Sequence, residues 1–325
     1  MNDPCVHIIT QSKDLPVLDE ADFFHSRERF LLIEQTPGVW PYMVFVMDGS
    51  GRVVAHLLAE LRRRGSLLPP YLFTQGRIYG EGVYAEGADP SELFDRMMVA
   101  LTRYLHRKLC LYIEVSDLSH KMFGYRTLRR NGYFPVRWMQ IHNSLHSKPP
   151  RDRLSDRTAH HVLRAERAGV MVCEAGTEAE VRAYYKVLRA YYRKRLHRFV
   201  PDEHFFLQLL HSHRAHVYVT YFKGRVIGGA TVVESGGDSY LWHVVAQGKR
   251  YPMAHPLTAT VWHVLEDSHA RGLRHVFFLN VGLPFRRNPY RDFILGFGGK
   301  PVSGYRWFHF TLGWFNRLLS WFYRE

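Results

Sequence analysis

The sequence predicts an α/β (α+β) protein of two like units in tandem, each a mixed, mostly antiparallel sheet flanked by helices. Three observations point there. Two strand–turn–strand signals of the same form occur, YMVFVMDGSGRVVAHLLAEL (Tyr42 to Leu61) and HVYVTYFKGRVIGGATVVES (His216 to Ser235). Their turns, Asp48-Gly49 and Lys223-Gly224, have hairpin chemistry. The same series of elements follows each signal. Both halves then close on related stretches, GYRTLRRNGYFPVRW (Gly124 to Trp138) and PYRDFILGFGGKPVSGYRW (Pro289 to Trp307). The match extends over roughly a hundred residues per half and is one of pattern rather than identity, which reads as a duplicated unit.

After each hairpin comes another extended segment, LLPPYLFTQGRIYG or DSYLWHVVAQGKR. A helix follows: Ser91 to Lys108 begins with a serine ahead of an apolar periodic run, and His255 to Ala270 stops at Arg271-Gly272. A strand is next, LCLYIEV from Leu109 or HVFFLNV from His275. Ahead of the second copy, Arg151 to Phe206 reads as a basic helix, the short strand VMVCEA and a second helix. The segment SLHSKPPRDRLS, with Pro149-Pro150, marks the junction and divides the chain into domains 1–150 and 151–325.

With 325 residues and 46% hydrophobic content, the chain can bury two cores. Cys5, Cys110 and Cys173 are odd in number and widely spaced, which fits neither a disulfide framework nor a zinc site and points to a reducing cytosol. The start, MNDPCVHIITQSKDLP, lacks the basic-then-apolar form of a leader, and no apolar run reaches membrane-spanning length, so the expected location is cytoplasmic. Among the 20 histidines, neither the pair His160-His161 nor His211 with His213 is completed to a ligand spacing, and no metal is expected. A net charge of +14 attracts phosphates, anionic headgroups and nucleic acid alike. Its densest run, LRAYYRKRLHRF (Leu188 to Phe199), is either a solvated helix face or an anion or RNA contact with tyrosines as stacking surfaces.

The order hairpin, third strand, helix, strand, short helix and final strand, closing on LRRNGYFPV, resembles the GNAT acyltransferase fold. Two such units joined by RTAHHVLRAERAGVMVCEAGTEAEVRAYYKVL, with HPLTATVWHVLEDSHARGLRHVFFLNVG in the second, are similar to the FemAB-like branch, from Val44 to Phe310. The resemblance implies a splayed sheet with an acyl donor in a V-shaped opening between two strands. The donor is acyl-CoA, its pyrophosphate on the N–H groups that open the central helix, or aminoacyl-tRNA with a lipid-linked cell-wall precursor as acceptor.

Carried onto this chain, the resemblance makes the second unit the donor site, with Val245, Gln247, Gly248, Lys249 and Arg250 as donor-binding residues. Lys249 and Arg250 suit phosphate oxygens; a basic loop with no ligand is the alternative. The first unit matches Arg-x-x-Gly-x-Gly at Arg77 to Gly82, but Gly87 and Asp89-Pro90 intervene before the helix, so the match reads as coincidence. Gly76-Arg77-Ile78 also stands where the branch has Gly-Pro and an apolar residue, and nothing in the sequence accounts for Arg77. The tyrosine that protonates the leaving group is replaced by Leu128 in one unit and Asp292 in the other. Tyr290 is the nearest substitute, or else a structural tyrosine at the cleft; Asn280 is a polar group at the strand exit. Glu234, with Asp238 nearby, is a base acting through water or a solvated turn carboxylate.

The end of the chain, FHFTLGWFNRLLSWFYRE, sets Trp314, Phe315, Leu318, Leu319 and Phe322 at helical spacing with Arg317 and Arg324. It is either a helix packed on its own domain or an interfacial helix giving peripheral contact at the inner face of a membrane. The leading expectation is an N-acyltransferase, with acyl-CoA or aminoacyl-tRNA as donor and a small-molecule or lipid-linked amine, such as a cell-envelope precursor, as acceptor. The other is a non-catalytic scaffold binding an anionic surface or RNA. An open gap between the strands ending near Gln247 and Asn280 separates the two.

Overall fold

Turn chemistry sets the hairpins. Asp48 Oδ1 accepts from the N–H groups of Ser50 (2.9 Å) and Arg52 (3.0 Å), and Lys223 and Gly224 take φ of 50° and 70°. A computed structural model of the chain describes residues 5–66, 69–118, 123–193, 199–279 and 281–323. In chain order the first elements are β1 (Val6–Ile9), α1 (Arg27–Glu34), β2 (Val39–Met47), β3 (Val53–Gly65), β4 (Leu72–Tyr79), β5 (Val83–Tyr84), α2 (Pro90–Arg107), β6 (Tyr112–Ser116), α3 (Tyr125–Arg130) and β7 (Phe134–Ser144). They are followed by α4 (Asp156–Arg167), β8 (Met171–Glu174), α5 (Glu178–Tyr192), α6 (Glu203–Gln208), β9 (Ala215–Phe222), β10 (Arg225–Ser235) and β11 (Asp238–Ala246). The last are α7 (Pro256–Ala270), β12 (His275–Phe278), α8 (Pro289–Leu295), β13 (Lys300–Phe310) and α9 (Gly313–Phe322). Helix α2 starts one residue before the expected serine, because Asp89 accepts from Ser91 N and Pro90 takes the first helical position.

Packing groups the chain differently from a division at Pro149-Pro150. One compact unit is the chain up to Trp138 together with the part from Gly304 onward; the other is Met139–Ser303. The reason is strand pairing. The later part of β13 lies antiparallel on β6 in the first unit, Arg306↔Ser116 through Phe310↔Tyr112. The later part of β7 lies on β12 in the second, Ile141↔Phe278 through Ser144↔His275. Each closing strand thus ends in the unit opposite to the one in which it starts.

In the first unit the strands run β1-β2-β3-β4-β6-β13, with β4 and β6 parallel. Helix α2 lays Leu93, Phe94, Met97, Met98, Leu101 and Leu105 on one face of this sheet, where fully buried Trp307 joins them from β13. On β3, β4 and β6, Glu60 pairs in register with Arg77, and Arg77 with Glu114. All three are buried. Arg77 is in contact with Glu114, whose Oε1 also meets Arg306 at 3.1 Å. Arg62 is in contact with Glu60, and Arg29 lies 3.4 Å from the same carboxylate. Tyr79 sits among these cations: the guanidinium carbons of Arg29, Arg62 and Arg77 are 4.8, 5.8 and 4.3 Å from its ring centroid. Its Oη accepts from Arg62 Nη2 at 3.2 Å. Burial alone would raise this phenol, but Arg62 and Arg77 outweigh it and bring the pKa down to about 7.

In the second unit the order is β7-β12-β11-β10-β9-β8. Its core joins Ile141, Val232, Leu241, Val261, Leu265 and Phe278 with Ile294 and Phe297 of the second closing stretch. Gly298, at φ +83°, lies so close to Arg153 that an added Cβ would stand 2.5 Å from its carbonyl oxygen, which accounts for glycine there.

Two outcomes follow from the buried charges. Glu114→Gln leaves Arg77 and Arg306 without their carboxylate, and urea unfolding should show a loss of about 3–5 kcal/mol. A spectrophotometric titration of the native chain should show one tyrosine ionising near pH 7, absent in Tyr79→Phe. Because folding lowers this pKa, its stabilisation is complete above the ordinary value of 10.0 and fades as pH falls through about 7. Wild type should therefore gain stability over Tyr79→Phe between those limits, and parallel curves would refute the assignment.

Candidate active site

In the second unit the parallel pairing of β11 with β12 is short. It runs through Ser239↔Val276, Tyr240↔Phe277 and Leu241↔Phe278, while β11 continues to Ala246. At the point where pairing ends, the register of β11 on β10 also slips, from Val232↔Leu241 to Thr231↔His243, a bulge at Trp242. From Trp242 to Ala246, about 16 Å of strand, β11 runs on along β10. The corresponding pair in the first unit stays closed. There β4 and β6 pair from Gln75↔Tyr112 to Tyr79↔Ser116, and Gly80 N continues onto Ser116 O at 2.9 Å. Side chains lace the same pair: Gln75 donates to Glu114 at 2.7 Å and Arg77 to Ser116 Oγ at 2.6 Å.

Past β11, Gln247 N donates to Ile227 O at 2.8 Å, and Gln247 O accepts from Arg250 N (3.0 Å) and Tyr251 N (3.1 Å). This turn presents Lys249 and Arg250 to solvent, with Gln247 and Gly248 half-buried and Val245 inside the sheet. Helix α7 begins at Pro256. Its N-cap, His255, is left-handed at φ 42° and makes no side-chain cap hydrogen bond, so the opening N–H groups and the positive end of the dipole lack a side-chain anion at that position. The His255 ring stacks on His161 of α4 at 4.1 Å and 11°. Burial first, and then neighbouring cations, hold both imidazoles below their ordinary pKa: His255, Arg157, His160 and Arg164 act on His161, and Arg164 and His160 on His255. Residues 157, 160, 161 and 164 share one face of α4 by helical spacing. That periodicity was present in RTAHHVLRAER, but only the fold shows that the face meets the start of α7.

Past β12 the chain reaches α8. The N-cap Asn288 accepts from Tyr290 N at 3.0 Å and donates to Val281 O at 2.7 Å, tying the start of α8 to the β12 exit. Gly282, at φ +87°, permits this, since a Cβ there would lie 2.6 Å from Asn288 Nδ2. Tyr290 is half-buried, its ring 6.3 Å from Phe293. Asn280 lies outside the described residues, as do residues 194–198 of the basic run and Arg324.

Glu234 is not brought to this place. It pairs with Ser239 at the start of β11, whereas Ala246, next to the loop, pairs with Gly228. There Glu234 faces His216 Nε2 at 3.2 Å, and His216 Nδ1 meets Glu174 at 2.6 Å. Arg271, just past the end of α7, holds Glu174 (2.9 Å) and Asp267 (2.6 Å). Burial would lower His216, but its hydrogen bonds to Glu234 and Glu174 raise it overall. Asp238 is likewise engaged, with Arg274 at 3.4 Å and His275 at 2.9 Å. The loop, the start of α7 and the cationic face of α4 thus follow the C-terminal end of β11, Tyr290 follows the exit of β12, and Glu234 and Asp238 lie at the other end of β11. Among the described residues no group of His, Cys, Asp and Glu side chains is arranged to hold a metal.

Residues 153–287 match the family model of the acetyltransferase (GNAT) domain. No curated protein matches the sequence. Among solved structures the chain is similar to FemX, at 10% identity over 95% of this chain and 96% of that one, with a TM-score of 0.60. A tandem GNAT protein from the clavulanic acid biosynthesis pathway matches at 13% identity over 94% and 98%, TM-score 0.57. L-PGS from Bacillus licheniformis matches at 11% over 92% of each chain, TM-score 0.56. At such identities the likeness is one of fold. Residues 153–287 thus match the GNAT acetyltransferase domain model, and the chain as a whole has the fold of FemX and of the tandem GNAT protein.

Proposed function

We propose that the second unit is an N-acyltransferase site that takes an acyl group from a phosphate-bearing carrier, acyl-CoA or aminoacyl-tRNA, and delivers it to an amine acceptor. The observation that supports this reading is the basic loop from Gln247 to Arg250 leading into the start of α7, whose N-cap His255 stacks on the cationic face of α4. In the proposed reaction the acyl carbonyl of the carrier lies at the C-terminal end of β11. The neutral amine attacks that carbonyl, the carrier's thiolate or ribose oxygen leaves, and the proton lost by the amine balances the one the leaving group gains. Tyr290, held at the β12 exit by Asn288, is our assignment for the proton donor. The carrier phosphates fall to Lys249 and Arg250 with the α7 N-terminus, joined by Arg157, His160, His161 and Arg164 of α4. Binding through Gln247, Gly248 and the backbone of Val245 completes the donor side. We place the chain at the cytoplasmic side of the envelope, with a small-molecule or lipid-linked precursor as acceptor.

Calorimetric titration of the full chain with acetyl-CoA, a long-chain acyl-CoA and charged tRNA is the direct test. One donor class should bind, and Lys249→Glu/Arg250→Glu or Arg164→Glu should weaken it by about tenfold or more. No binding by any of the three would overturn the reading. A bound phosphate raises the pKa of nearby imidazoles, so binding takes up protons. Affinity should therefore rise as pH falls from about 8 to about 5.5, and His161→Gln/His255→Gln should flatten the profile. Once a donor is identified, Tyr290→Phe should lower turnover by roughly a hundredfold or more with donor affinity unchanged. Asn288→Ala should act in the same direction but more weakly.

A further inference from the structure

We propose that α9 is a docking surface for an anionic lipid bilayer, seated through Trp314, Leu318, Trp321 and Phe322. The inference is independent of the donor cleft. Helix α9 is amphipathic in the reverse of the usual sense. Its inward side is pinned by a polar residue: Asn316, 8% exposed, accepts from Phe310 N and donates to Gly132 O, both at 2.9 Å. Phe315, on the flank, packs edge-on against Phe310 at 5.0 Å, and Tyr323, just past the helix, stacks on Phe134 at 5.7 Å. At 100° per residue the opposite side presents Trp314, Leu318, Trp321 and Phe322, which are 66, 52, 65 and 71% exposed. Phe315 and Tyr323 therefore serve the fold, and the four exposed residues form a contiguous stripe toward solvent.

Charge says what covers the stripe. Arg317 is exposed at its edge. Asn316's bond to Gly132 places the exposed Arg129 and Arg130, at the end of α3, beside the helix. Thr311, which leads into α9, bonds to Leu111 O at 3.0 Å and to Cys110 O, next to the exposed Arg107 and Lys108. Asp95 is bound by Asn131 Nδ2 at 3.0 Å. Tryptophans and leucine framed by cations suit the headgroup region of an anionic bilayer. A second copy seated on the stripe would bring like rims together, which the net charge of +14 further disfavours. No described helix is long and apolar enough to cross a membrane, so the contact is one of lying on the surface.

The test is co-sedimentation of the full chain with vesicles of phosphatidylcholine alone and of an equimolar mixture with phosphatidylglycerol, with tryptophan emission recorded alongside. The anionic vesicles should retain at least about tenfold more protein, with a blue shift, and added salt should release it. Leu318→Glu/Trp321→Glu, both exposed, should abolish retention while circular dichroism and thermal unfolding stay unchanged. Arg129→Glu/Arg130→Glu should weaken retention without removing the apolar stripe. Equal retention of wild type and the Leu318→Glu/Trp321→Glu variant would overturn the proposal, as would no retention. Dimeric mass in light scattering that the same variant returns to monomeric would also overturn it, in favour of a second copy on this face.

Discussion

Charges buried side by side across neighbouring strands govern which part of this protein can open. Glu60, Arg77 and Glu114 stand in register on β3, β4 and β6, with Arg29, Arg62 and Arg306 added around them. Such a row loses more by separation than it gains by formation, because each ion left alone in the interior keeps its desolvation penalty. Parting β4 from β6 would strand Arg77 from Glu114 and Ser116. The first unit is therefore a closed copy of the fold, and Arg77, anomalous as a motif residue, is a structural cation.

Among the described residues the second unit has no such row at the corresponding pair. Beyond Leu241 the strand β11 bulges, and the charged side chains of the second unit gather elsewhere. Carboxylates gather at the end of α7 where Arg271 and His216 compensate them, while the start of the helix faces Arg157, Arg164 and paired histidines. The two ends of one helix thus carry opposite tasks. An anion at the N-terminus is favoured by the dipole and by α4; at the other end carboxylates and cations neutralise each other.

Much of the architecture was legible in the sequence because it is written in short-range terms. Turn pairs such as Lys223-Gly224, caps and period-two strands act over a few residues, so the hairpins, the central helices and the duplicated order could be read directly. The loop at Gln247 to Arg250 was also visible, through its placement between a strand and a helix. Less legible was the role of single residues. Glu234 looks like a base beside a turn, yet its strand register carries it to the far end of β11 and into partnership with His216. The α4 face, conversely, shows its spacing openly but means nothing until the start of α7 is set against it.

By itself the sequence determined the kind of elements, their order and their repetition, since local propensity and hydrophobic period suffice for these. Tertiary structure alone decided the rest: where β7 and β13 end, how far β11 follows β12, and which side of α9 turns outward. Each of these depends on contacts between residues distant in the chain, as between Asn316 and Gly132. Such pairings are chosen by competition among whole packings rather than by neighbours in sequence, and periodicity cannot rank those packings.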